Sequence, residues 1–150
     1  MDTTIIQGVT LGFLLGFVGF IIFTRNPSKN LKSNNYKIVM VVRTDILKNK
    51  TQTAIHCSRA ALECFKKAKL KYPDAVNIWE KNSQPKIALK LDKNENEEML
   101  CLHRKAERLG LVSVQILEEN SYQKNDIAVL GIGPGSEELV NEVTGHLKLL

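Results

Sequence analysis

Apolar and polar positions follow different rhythms along this chain. Thr4 to Phe23 is twenty residues without a charge, nearly all apolar. At 1.5 Å rise per residue such a run spans about 30 Å, the hydrocarbon thickness of a bilayer. Ile38 to Val42 is five apolar residues in a row, as in a strand buried on both faces. A long helical pattern follows. Ala54, Ser58, Ala61, Leu62, Phe65 and Ala68 make its apolar stripe; Gln52, His56, Arg59 and Glu63 share a polar face. Thr51 or Thr53 is placed to cap it. Tyr72-Pro73-Asp74 breaks the helix, and a short second one is predicted over Pro73 to Lys81, with Trp79 packed on the core.

Beyond Gln84-Pro85-Lys86 the period switches to two, with Ile87, Leu89 and Leu91 on one face of a strand. Asp92 and Glu95 resemble a capping box for a helix whose Met99, Leu102, Ala106 and Leu109 face inward and which Gly110 ends. Val112, Val114 and Ile116 alternate as a third strand. A polar loop, Glu118 to Asn125, separates it from a fourth strand, Ile127 to Ile132. Gly133-Pro134-Gly135-Ser136 is expected to turn into a last helix, with Glu137 and Glu138 in its first turn. This order predicts an α/β three-layer domain with a four-stranded mixed sheet flanked by helices. The last two strands pair antiparallel or sit apart in the sheet.

Charge refines the organisation. Residues 36–93 hold 13 basic and 5 acidic side chains, residues 94–150 hold 5 and 10. The basic half favours an anionic partner, and an ordinary solvated lysine-rich surface gives the same balance. Basic residues follow the apolar run at Arg25, Lys29 and Lys32, whereas Asp2 precedes it. That asymmetry suits a transmembrane anchor over residues 1–25, with the C-terminal part in the cytosol, rather than a cleaved signal. Gly8, Gly12 and Gly16 form GxxxG steps that suit self-association. Residues 26–35 read as a polar linker and 36–150 as the folded domain. The three cysteines and three histidines fall in no CxxC pair and no metal-ligand spacing, so reduced thiols and no metal are expected. No phosphate-loop, GxGxxG or GxSxG pattern occurs.

Several blocks together carry a resemblance. KIVMVVRTD, the AxxCSxAA pattern of Ala54 to Ala61, QPKI from Gln84, LGLVS, LGIGPG and the closing VTGHLKL resemble the archaeal and eukaryotic-type (class II) peptidyl-tRNA hydrolases. The resemblance covers residues 36–150 in order, and the N-terminus resembles the family's mitochondrial branch in animals. It implies hydrolysis of the ester joining a peptide to the tRNA 3′ ribose, without cofactor or metal. It also implies a domain that is often dimeric. The length and basic flank of the apolar run fit an outer mitochondrial membrane anchor and fit the endoplasmic reticulum equally. Where the family has a lysine, a glutamine four residues on and a histidine three further, this chain has Gln52, His56 and Arg59. Lys50 stands at an upstream family lysine, and Glu118 stands for the aspartate that follows the third strand.

The residues themselves suggest a mechanism for ester hydrolysis. His56 is the candidate base, Glu118 its orienting group, and Arg59 the stabiliser of the oxyanion or holder of the 3′ phosphate, with Gln52 a further candidate on the same helix face. Lys48, Lys50, Lys66 and Lys67 would hold the tRNA backbone. The bland reading makes Gln52, His56, Arg59 and Glu63 a solvated stripe with an Arg59–Glu63 ion pair. The alternative function is a catalytically impaired homologue acting as a membrane-anchored tRNA-binding or regulatory adaptor. A general nucleic-acid module using the basic half alone is a further possibility.

Overall fold

The computed structural model describes residues 35–92, 96–118 and 126–150. The expected anchor and nearly all of the linker lie outside the described residues. Among those described, no helix is long and apolar enough to cross a membrane.

The described residues form nine elements in chain order: β1 (Tyr36–Arg43), α1 (Lys50–Lys71), α2 (Pro73–Lys81), β2 (Lys86–Leu91), α3 (Asn96–Arg108), β3 (Ser113–Leu117), β4 (Ile127–Ser136), α4 (Glu137–Thr144) and β5 (Lys148–Leu149). The sheet order is β3-β4-β1-β2-β5. β1 and β2 are parallel, and the other three pairings are antiparallel. The mixed sheet therefore has five strands rather than the expected four. The added strand is two residues long, too short to show a period, and it pairs Leu89 with Leu149 at the edge. β3 and β4 pair directly, which settles their relation as antiparallel neighbours.

Two apolar clusters lie on opposite faces of the sheet and make the third layer. Ile38, Met40 and Val42 of β1 join Ala60, Cys64 and Ala68 of α1 and Val76 and Trp79 of α2. Val39 and Val41 join Leu89 and Leu91 of β2, Met99, Leu102 and Ala106 of α3, and Val140 and Val143 of α4. The uninterrupted valine-rich run in β1 is thus buried on both sides. Trp79 sits in the core and donates its indole N–H to the Pro85 carbonyl at 3.1 Å.

Several local expectations change. The cap of α1 is Asn49, whose side chain accepts the Thr51 N–H at 2.8 Å, while Thr53 donates its hydroxyl back to the Asn49 carbonyl. α3 begins at Asn96, and Asp92 instead accepts from Thr44 Oγ1 at 3.0 Å. Glu95 lies outside the described residues. The stretch Gly133 to Ser136 is no turn: β4 runs through it and pairs with β1 up to Tyr36–Ser136. An extra residue on β4 between the Val39–Ile132 and Lys37–Gly135 pairs makes a bulge, and Gly133 sits there at φ 106° with no room for a Cβ against the Lys37 carbonyl. Gly110, at φ 75°, ends α3 as expected.

The largest correction concerns the rotation of α1. Its buried line is His56, Ala60, Cys64 and Ala68, whereas Ala54 and Ser58 are exposed and Leu62 is 52% exposed. The helix lies against β4 at Gly131, where a Cβ would come within 2.6 Å of Cys64 Sγ and 3.3 Å of the Ala60 carbonyl. Such an approach admits small residues only, so the bulkier Ile55 and Leu62 turn outward. Gly131→Ala is therefore expected to destabilise the fold by about 1–3 kcal/mol in denaturant titrations, as overpacking does. Adding Cys64→Ala is expected to recover part of that loss.

Candidate active site

β1, β2 and β3 run in one direction, so their carboxyl ends gather at one end of the sheet. In open α/β sheets that end collects ligands, because loops and helix N-termini meet there. α1 starts at this end, after the loop 44–49, and carries His56 in its second turn. Glu118 follows β3 at the same end.

His56 is buried, 6% exposed, not part of a solvated stripe. Its Nδ1 lies 2.9 Å from the Gln52 carbonyl oxygen, which only accepts, so Nδ1 donates. Nε2 lies 3.1 Å from Glu118 Oε2. With Nδ1 already a donor, the second contact places a proton between Nε2 and Oε2. The two side chains are one proton-sharing unit rather than a base with a lone pair turned to water. Glu118 is the more accessible of the two, at 17% against 7% for the imidazole. Its backbone N–H donates to the Asp126 carbonyl at 3.0 Å.

The structure thus brings together His56 and Glu118 among the residues singled out from the sequence. Gln52 contributes its backbone carbonyl, and its side chain is exposed. Arg59, one turn beyond His56, is exposed too. The expected Arg59–Glu63 pair is replaced by Glu63 with Lys66, at 2.8 Å. Lys48 and Lys50 are exposed at the start of α1, beside the site. Lys66 and Lys67 lie about 15 Å beyond His56 along the helix at its standard rise. Lys67 Nζ donates to the Ser113 carbonyl at 3.4 Å, on the outer strand β3.

A buried ionic group at the same end escaped the sequence reading. Arg43, 1% exposed, ends β1 and forks onto Asp45 through Nε at 3.1 Å and Nη2 at 2.6 Å. Its Nη1 lies 3.5 Å from Asp126 Oδ1. The signal was present: an arginine closing a fully buried apolar run demands a carboxylate partner. The Arg43 hydrogen bonds outweigh burial and hold the Asp45 carboxyl below its ordinary value; the same bonds raise Arg43.

Elsewhere, Cys57, Cys64 and Cys101 are free thiols, and burial pushes Cys64 up to about 12, so it stays protonated and inert. Among the described residues no group of three His, Cys, Asp or Glu side chains is placed to hold a metal. A cavity of about 320 Å³ lined by Tyr36, Lys37, Pro85 and Glu137 lies at the opposite end of β1.

A proton-sharing carboxylate and imidazole, an exposed guanidinium one turn away and lysines at a helix start suit water activation beside an anionic substrate. The arrangement sits on the five-stranded mixed sheet of an α/β domain. The chain belongs to the peptidyl-tRNA hydrolase PTH2 family, whose description matches residues 36–150. It is 37% identical over 118 residues to a Mus musculus protein named peptidyl-tRNA hydrolase 2, mitochondrial, covering 79% of this chain and 65% of that one. It is 42% identical over 121 residues to a probable peptidyl-tRNA hydrolase 2 of Schizosaccharomyces pombe, covering 79% and 58%. A Methanocaldococcus jannaschii peptidyl-tRNA hydrolase is 33% identical over 116 residues, covering 76% of this chain and 99% of that protein. The chain therefore spans under two thirds of these two eukaryotic relatives and nearly all of the archaeal one.

The Arg43–Asp45 pair gives a pH prediction. A depressed carboxyl stabilises the fold above its unfolded value, and the contribution fades as pH falls through the lower folded value. The stability gap between wild type and Asp45→Asn should therefore shrink as pH drops below 3.8, the ordinary value. Denaturant midpoints taken across that range check it.

Proposed function

We propose that this protein hydrolyses the ester bond of peptidyl-tRNA, releasing peptide and free tRNA. The observation that carries the reading is the His56–Glu118 contact within a domain of this family. The buried imidazole, bonded at both ring nitrogens, holds and orients the more accessible carboxylate. With the shared proton held on His56 Nε2, Glu118 is ionised and is the group that takes a proton from water, the reverse of the roles first expected from the sequence. Water attacks the ester carbonyl, Arg59 stabilises the oxyanion, and the proton passes from Glu118 to the departing ribose 3′ oxygen. Gln52 faces solvent beside them, where it can hydrogen-bond the substrate's terminal nucleotide.

Lys48 and Lys50, beside the α1 N-terminus, are the phosphate-binding residues in this scheme. Lys66 and Lys67 extend the basic face along the helix but are already engaged with Glu63 and Ser113. The names of the mitochondrial relatives support a mitochondrial setting. The apolar run over residues 4–23 would hold the domain at a membrane, the outer mitochondrial one by its basic flank, and its glycine spacing would allow a homodimer.

Turnover of peptidyl-tRNA by the full chain tests the assignment. Glu118→Gln, which keeps the shape, is expected to lower kcat by about a hundredfold, within the usual range for general acid–base groups. His56→Gln restores the family's residue and keeps a donor toward Glu118, so it should retain most activity. The opposite ranking would return the base to His56, and a wild type that binds tRNA without turnover would favour the adaptor. Lys48→Ala and Lys50→Ala should each reduce the slope of log affinity against log salt by about 0.7–0.9.

A further inference from the structure

We infer that Arg43 is a positioning residue for this site: one buried guanidinium ties together the two backbone segments that carry His56 and Glu118. The inference rests on the proposed site and adds a residue to it.

On one side, the Arg43 fork grips Asp45, the second residue after β1. The loop it opens is further pinned by the Leu47 N–H on the Arg43 carbonyl at 3.0 Å and the Thr44 N–H on the Leu91 carbonyl at 3.1 Å. Four residues after Asp45 stands Asn49, the cap that starts α1, and His56 follows two turns later. On the other side, Arg43 Nη1 meets Asp126, which is 6% exposed. The Asp126 carbonyl accepts the Glu118 N–H, so the anchor of Asp126 is also the anchor of the Glu118 backbone. That hydrogen bond joins the residue after β3 to the residue before β4.

Neither segment reaches the other through a continuous strand. Glu118 lies past the last residue of β3, and His56 lies on a helix that follows a six-residue connection, residues 44–49. The 3.1 Å contact between their side chains therefore depends on two loop bases being held at a fixed separation. A planar fork with five donors can serve both carboxylates at once, and an ammonium on a flexible stem cannot reproduce that geometry. Misplacing a reacting group by about 1 Å costs roughly a hundredfold in rate.

The test compares wild-type protein with Arg43→Lys and Asp126→Asn in the full chain. Two quantities are read: steady-state turnover of peptidyl-tRNA, and the ring N–H resonances of isotope-labelled His56. Wild type should show an exchange-protected Nε2–H resonance from the proton held against Glu118. In both variants that resonance should be lost, and kcat should fall about tenfold to a hundredfold with KM nearly unchanged, since the lysines that meet tRNA are untouched. A folded Arg43→Lys that keeps both the resonance and kcat overturns the inference, even with a lowered Tm. So does a wild type without the resonance. Should Arg43→Lys fail to fold, Asp126→Asn is read by the same two criteria. Should wild type show no turnover, the proposed activity fails, and the resonance alone decides the role of Arg43.

Discussion

The close approach of α1 to β4 sets the geometry of everything at the working end of this molecule. Helix and strand meet where Gly131 faces Ala60 and Cys64, too close for a side chain on the strand. Only small residues tolerate that contact, and the line of Ala60, Cys64 and Ala68 supplies them. Because a helix is rigid, fixing this line fixes its rotation, and His56 on the same line is carried inward to the end of β3. The same rotation turns Gln52, Arg59 and Leu62 to solvent. Burying an imidazole there is tolerable because both ring nitrogens find partners, one in the helix backbone and one in Glu118.

The second constraint is ionic. Strands rich in valine and isoleucine hold the centre of the sheet, but at their carboxyl ends the backbone must leave the ladder and find other partners. Arg43 and Thr44 meet that need. Thr44 pairs with Leu91 and Asp92 at the end of β2, and Arg43 reaches both Asp45 and Asp126. A buried guanidinium with its carboxylates is weak evidence for net stability, since desolvation offsets much of the attraction. Its value here is in geometry. The end of the sheet that carries the candidate site holds the Arg43 pairs with Asp45 and Asp126 as well as the His56–Glu118 contact.

Much of this was legible in the sequence, for stated reasons. Ile38 to Val42, Leu89 and Leu91, and Met99, Leu102 and Ala106 fell where their periods placed them, because burial of a face repeats with the element. The face of α1 did not. Judging a stripe by its large side chains selected Leu62, whereas contact with a flat sheet at Gly131 selects small ones. β4 ran on through Gly133 to Ser136, where glycine and proline suggested a turn, because a bulge uses the same residues. His56 and Glu118 were found through the resemblance and the shared helix face, though their burial was not foreseen. Arg43 closes a buried apolar strand, and a charge in that position signals a buried carboxylate partner.

The substitutions at the site become coherent when read as hydrogen-bond geometry rather than as lost catalytic groups. The resemblance puts a glutamine where His56 stands and an aspartate where Glu118 stands. A histidine Nε2–H reaches about as far from the backbone as a glutamine amide N–H, so the replacement keeps a donor aimed at the carboxylate. Glutamate lengthens that carboxylate by one methylene, and in this structure it meets the imidazole at 3.1 Å. Where the resemblance puts a histidine stands Arg59, a fixed cation on the solvent side. In the proposed scheme Glu118 is the proton acceptor, His56 its positioning donor and Arg59 the cation for developing negative charge. The imidazole of His56 lies in the interior, 7% exposed, and the Glu118 carboxylate, 17% exposed, is the member of the pair more open to water.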